Sequence, residues 1–378
     1  VPLIYLVAGE ASGDALGARL MAALRARRPD VAFAGVGGEQ MAAQGLATLF
    51  PLRDLALMGL LEVLPRLRQL RRRLHQTVED IAARRPAVVV TIDSPGFTLR
   101  LLKQIRSLGV KRVHYVAPQV WAWREGRVRH YPGLWDQLLC LLPFEPAFFA
   151  RHGLTATFVG HPVSESAAAR GDGARFRAAH GIDVDARVLT LMPGSRRTEV
   201  SRLLPVLGET LLRLPDDLVP VVPLAGPVAE TVRDGTRQWR RRPILISREQ
   251  DKYDAFAASS VALTKSGTST LELAMADVPM VVAYRVNPLT AAIANRLVKV
   301  RYASIINLIA EREVIPEFIQ GACTPERLTG TVLSLLNDAE AAHAQRTAMR
   351  AILERLRPDA GTPSAAAADA VLKVMEQS

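Results

Sequence analysis

Cysteine is scarce: the 378 residues contain two, Cys140 and Cys323, which lack zinc-ligand spacing. That excludes a disulfide scaffold and a cysteine-based metal knuckle, and reads as two reduced core thiols. Aromatic residues make up 5% of the chain, too few for an extended base-stacking surface, so no nucleic-acid partner is expected. The seven histidines are dispersed and no H-E-x-x-H occurs, so no metal is expected. No stretch approaches the ~18 uncharged apolar residues of a spanning helix. The apolar run 1–8 leads straight into a glycine-rich turn, the grammar of a buried first strand rather than of a secretion signal. A cytoplasmic or membrane-peripheral protein is the expectation. A dinucleotide G-x-G-x-x-G, a Walker A loop and a G-x-S-x-G elbow are also missing, and no organic cofactor is expected.

What is present is length for two domains, a 49% hydrophobic content and a net charge of +11, which favours an anionic partner. Strands alternate with amphipathic helices. Residues 3–8, 31–36, 87–92 and 113–116 read as strands, and 15–28, 66–84 and 97–108 as helices. After a break at 158–173 the rhythm restarts, with strands at 188–192, 219–224, 244–247, 261–264 and 280–283 and helices at 199–214 and 268–276. This alternation predicts an α/β protein of two Rossmann-like domains facing across a cleft. The boundaries are placed at 1–165, 166–345 and a helical tail 346–378. The tail packs back on the first domain or on a second subunit, a homodimer in the latter case.

Ligands of open parallel sheets bind beyond the carboxyl ends of the strands, which singles out five loops. The first is Gly9-Glu10-Ala11-Ser12-Gly13-Asp14, where Glu10, Ser12 and Asp14 either serve a ligand or cap the next helix. The second holds Asp93, a carboxylate ending a run of valines. It is a general base or an N-cap, and as a base it needs burial or a neighbouring acid to offset the helix terminus behind it. In the third, Gln119, Trp121 and Trp123 suit a sugar or an acyl chain, or the core. The fourth, Pro193-Gly194-Ser195-Arg196-Arg197, offers a helix N-terminus and a guanidinium to a diphosphate, or is a surface arginine pair. The fifth, Lys265-Ser266-Gly267-Thr268-Ser269-Thr270-Leu271-Glu272, suits a phosphate. Its Glu272 either binds a ribose or closes a capping box with Ser269.

The segment 57–64, with Leu60, Leu61 and Leu64, is densely apolar and precedes Arg66, Arg68, Arg71, Arg72 and Arg73. It reads either as an interfacial wedge on an anionic membrane surface or as core of the first domain.

Together these strings resemble the lipid-A-disaccharide synthases, inverting glycosyltransferases of the GT-B fold. The resemblance also rests on Ile92-Asp93-Ser94-Pro95-Gly96-Phe97, Phe158-Val159-Gly160-His161-Pro162 and Val314-Ile315-Pro316-Glu317-Phe318. It implies a metal-independent enzyme with a UDP-linked acylated sugar, UDP-2,3-diacylglucosamine, as donor. The acceptor is an acylated sugar phosphate, 2,3-diacylglucosamine 1-phosphate, and the enzyme works on the inner face of the bacterial inner membrane. By resemblance Asp93 is the base or acceptor orienter, Arg196 a diphosphate contact and Glu272 a donor contact. Asn307 joins the donor contacts although Ile306 stands where relatives carry proline. Two other readings remain: a UDP-sugar epimerase of the same fold, and a basic binding protein without activity. The tryptophan loop speaks against the first and the five polar strand-end loops against the second.

Overall fold

The structure, a computed structural model, describes residues 1–55, 63–287 and 300–377. The chain forms two compact units, Val1–Pro162 with Leu356–Ser378, and Val163–Arg355.

The first unit is a parallel sheet of β1 (Leu3–Ala8), β2 (Ala32–Val36), β3 (Val88–Ile92), β4 (Lys111–Tyr115), β5 (Gln137–Cys140) and β6 (Ala156–Phe158), in the order β2-β1-β3-β4-β5-β6. Successive side chains of a strand point to opposite faces. Tyr5 and Val7 therefore pack with Leu70, Leu74 and Leu101 on one side, and Ile4 and Leu6 with Leu20, Met21 and Val371 on the other. Both faces are covered, which is why β1 and β3 are continuous apolar runs. Helices Ala11–Arg27 and Pro363–Glu376 cover the second face. Helices Val63–Arg84 and Pro95–Ile105 cover the first. The helical tail is shared: Ala339–Arg355 belongs to the second unit and Pro363–Glu376 to the first. The turn Gly160-His161-Pro162 accommodates that return. Gly160 has φ 85°, a Cβ there would lie 2.6 Å from Pro358, and the His161 N–H donates to the Leu356 carbonyl.

The second unit repeats the design with β7 (Val188–Met192), β8 (Val219–Pro223), β9 (Ile244–Ile246), β10 (Val261–Thr264), β11 (Met280–Tyr284) and β12 (Glu317–Ile319), ordered β12-β11-β10-β7-β8-β9. In the first sheet the chain leaves β1 for β2 on one side and returns to β3 on the other. In the second it leaves β7 for β8 and β9 and returns to β10. Loops part at such a reversal, and ligands of open α/β sheets bind there. The loops at these two switch points are four of the five singled out in the sequence.

Candidate active site

At the first switch point the loops after β1 and β3 touch. A Cβ on Gly9 would lie 2.2 Å from Ser94 Cβ, so only glycine allows this approach. Asp93 and Ser94 both sit in the left-handed region, φ 52° and 46°. Thr98 pins them by donating its hydroxyl to both of their carbonyls, at 2.7 and 2.9 Å. One strand over, Val116 has φ 79°, a conformation that a β-branched residue adopts only under constraint. Three strained residues beside one strand-end crevice are the usual mark of a functional site. Asp93 is half-buried, and burial pushes its carboxyl above the ordinary aspartate range, with the Ser94 N–H pulling partly back. Burial is thus the offset that a base in front of a helix terminus requires.

Glu10 is exposed at the N-cap of helix Ala11–Arg27. With Ser94 it lines a cavity of about 230 Å³ whose walls are Leu55, Leu67, Leu70, Leu74 and Phe97, flanked by Arg71 and Arg100. The helix begins at Ala11, four residues earlier than its hydrophobic pattern indicates, because Ser12 and Asp14 are tolerated in a first turn. Ser12 is accordingly an exposed first-turn residue. Asp14, expected to serve a ligand or to cap its own helix, is engaged elsewhere. It is buried, and its carboxylate accepts the backbone N–H groups of Gly38, Gln40 and Met41 at 2.7–3.0 Å. It closes the start of a different helix, Glu39–Ala43.

At the second switch point the loops after β7 and β10 are joined by one buried carboxylate. Glu199 accepts the N–H groups of Ser195 and Arg196, the Arg196 guanidinium at 3.3 Å and the Lys265 ammonium at 3.2 Å. Burial alone would raise its carboxyl, yet Lys265 and the Ser195 N–H hold it below the ordinary range. The start of helix Arg197–Arg213 is therefore occupied by the Glu199 carboxylate of its own first turn, which corrects the picture of a vacant anion site there. Ser195 and the Arg196 side chain remain exposed. The helix after β10, Thr268–Met275, differs. Its N-cap is Gly267, φ 154°, with no side-chain cap, and Thr268 is exposed. Glu272 does not close a capping box with Ser269. Its carboxylate accepts from Lys252 and the Tyr253 hydroxyl, both at 3.0 Å. Ser266 donates to the Ala303 carbonyl at 2.7 Å and so anchors the loop.

A family model for lipid-A-disaccharide synthetase matches residues 4–371. A lipid-A-disaccharide synthase from Gluconobacter oxydans is 56% identical, covering 99% of this chain and 91% of its own length. The chain belongs to the lipid-A-disaccharide synthase family. As a member it is a hexosyltransferase, and the fold agrees. A UDP-GlcNAc 2-epimerase from Neisseria meningitidis, solved bound to UDP-GlcNAc, superposes with TM-score 0.63 at 11% identity over 94% of this chain and 99% of its own. The glycotransferase of kitacinnamycin superposes with TM-score 0.62 at 16% identity over 98% of both chains. Likenesses this remote in sequence establish the GT-B fold alone, so the epimerase reading gains nothing from them.

Other expected site residues fall into place or out of it. Trp121 is half-buried, donating to Glu145 at 3.1 Å and meeting Phe144 edge-on at 4.9 Å. Trp123 is exposed beneath the Arg124 guanidinium at 4.0 Å, and Gln119 is exposed beside it. Glu145 escaped the sequence reading. It is buried and bonded by Trp121, Leu141 N and Leu142 N, yet burial outweighs these donors and pushes its carboxyl up to about 7. Asn307 is corrected from donor contact to structural. It is buried, its amide donates to Ile315 O and Glu317, and its oxygen accepts Val314 N and Ile315 N.

Arg68, Arg71 and Arg72 are exposed on helix Val63–Arg84. Arg73 is not part of that face: it is tied to Asp54 at 2.6 Å over the Phe50 ring. Leu60 and Leu61 lie outside the described residues, as do the side chains of Leu64 and Arg66. Among the described residues no helix is long and apolar enough to cross a membrane, and no group of three or more metal-ligating side chains occurs.

Proposed function

We propose that the chain transfers the diacylglucosamine of UDP-2,3-diacylglucosamine to 2,3-diacylglucosamine 1-phosphate, with Asp93 as the general base. The observation that carries the residue assignment is Asp93 itself: a carboxylate raised by burial, held on a strained turn at a sheet's switch point. Its carboxylate takes the proton of the acceptor 6-hydroxyl. That oxygen bonds to the donor's anomeric carbon from the face opposite the nucleotide, which inverts the configuration to β. The bond from the anomeric carbon to the β-phosphate oxygen breaks, and UDP leaves with the electron pair. The charge developing on the diphosphate is met by Arg196 and by the uncapped start of helix Thr268–Met275. Glu272 contacts the donor's ribose, with Lys252 and Tyr253 fixing its orientation.

The cavity beside Glu10 and Ser94 receives part of an acyl chain of the acceptor. Because both sugars are held in a bilayer, the protein works at a membrane surface, where each exposed arginine adds about 1 kcal/mol of attraction to anionic headgroups. The decisive experiment presents both acylated sugars in anionic vesicles. Disaccharide 1-phosphate and UDP should form in equal amounts, and only when both sugars are present. Conversion of the UDP-sugar without acceptor would overturn the transferase reading.

A further inference from the structure

The ion pair between Lys265 and Glu199 bridges the switch point of the second unit, from the loop after β10 to the helix after β7. Each partner occupies room that a glycine leaves open. A Cβ on Gly194, φ 118°, would stand 2.7 Å from Glu199 Oε2, and one on Gly267 would stand 3.1 Å from Lys265 Nζ. Glu199 is 6% exposed. Two backbone N–H groups, a guanidinium and an ammonium converge on it. That is the donor set a phosphate receives at a strand-to-helix turn.

We propose that the Glu199 carboxylate is an internal stand-in for the donor's diphosphate, and that Lys265 leaves it to bind a phosphate oxygen when the nucleotide enters. The proposal rests on the UDP reading of this site. Without a nucleotide, the carboxylate keeps the two cations from repelling one another and holds them near their working positions, so little ordering remains to be done on binding. With the nucleotide in place, the capping N–H groups of Ser195 and Arg196 stay on Glu199 while the Lys265 ammonium turns on its flexible stem. After transfer the carboxylate recaptures Lys265, and that competition speeds departure of UDP.

The test is calorimetric titration of the whole protein with UDP and, separately, with uridine, which lacks the phosphates. Loss of a charge-assisted contact corresponds to about a ten- to hundredfold change. Lys265→Ala should raise the Kd for UDP by about that factor and leave uridine unchanged, with Lys265→Arg recovering most of the loss. Glu199→Gln, which keeps a capping oxygen but removes the competing charge, should tighten UDP severalfold, with a melting curve confirming that it folds. Unchanged UDP binding by Lys265→Ala overturns the proposal, as do equal losses for UDP and uridine or weaker UDP binding by Glu199→Gln. If the parent protein binds no UDP, the donor-site reading itself falls, and this inference with it.

Discussion

The two switch points share a reversal of strand order, after one strand in the first sheet and after two in the second, and are finished in opposite ways. In the first unit the backbone carries the tension: Asp93, Ser94 and Val116 are all left-handed, and the Asp93 carboxylate is kept partly out of water. In the second unit the side chains carry the order. Glu199 gathers four donors, Glu272 gathers Lys252 and Tyr253, and Asn307 makes four hydrogen bonds. The contrast follows the proposed chemistry. A base must be left reactive, which costs backbone strain and desolvation. A nucleotide site must be rigid and cationic, which a saturated polar network provides.

Substitutions can break this contrast. The largest effect should come from Asp93→Asn, which keeps the shape but cannot take a proton. Turnover should fall by about 10²–10⁴-fold while UDP binding persists. Because burial raises the Asp93 carboxyl, the parent's rate should decline on acidification at a pH above the ordinary aspartate range, and this limb should vanish in the variant. Near-normal turnover would make Asp93 structural and pass the role to Glu10.

Asn307→Ala tests the other side. It strands the buried N–H group of Ile315, at about 1–3 kcal/mol, and the part-buried one of Val314 at less. Urea denaturation should show a large loss of stability, most of it absent if the network is dispensable.

Glu145 sharpens the comparison, since it is a strand-end acid of the first unit that is fully bonded. Burial pushes its folded carboxyl up to about 7, above the ordinary glutamate range, so between the two the folded chain retains a proton that the unfolded chain has lost. Stability should therefore decline as pH rises from about 4.5 through about 7, by about 3 kcal/mol at most. Denaturation of Glu145→Gln across that window should be flatter, and an unaltered slope would show that another group is responsible. Smallest is Arg196→Ala, whose side chain is largely exposed. Donor use at limiting UDP-sugar should weaken by about ten- to a hundredfold, the range of one charge-assisted contact, and unchanged kinetics would remove Arg196 from the site.

Much of this was legible in the residues. Strands β1, β7 and β10 match their apolar runs residue for residue, because buried parallel strands have little else in them. Strands β5, β6 and β12, of three or four residues each, are too short to show a period. The switch-point loops were found because glycine beside a carboxylate or an arginine at a strand end is unusual. Their internal wiring was not. Asp14 meets backbone N–H groups 24 to 27 residues away, and nothing near Asp14 in sequence announces them. Glu199 had a signal, an acid at the third position of a helix, while Lys265 takes its meaning from Glu199, brought by another strand, and Glu145 in part from the remote Trp121.

The helix Pro363–Glu376 contributes Ala367, Ala368, Val371 and Val374 to the core of the first unit, and Arg27 reaches Asp369 across that contact. As the chain leaves the ribosome, the second unit is complete once Arg355 has emerged. The first must wait with one face of its sheet covered by helix Ala11–Arg27 alone through the making of almost two hundred residues. Domains commonly fold as they are synthesised, the earliest first. Here the order is reversed, and a partly uncovered apolar sheet face during translation is a natural client for a chaperone.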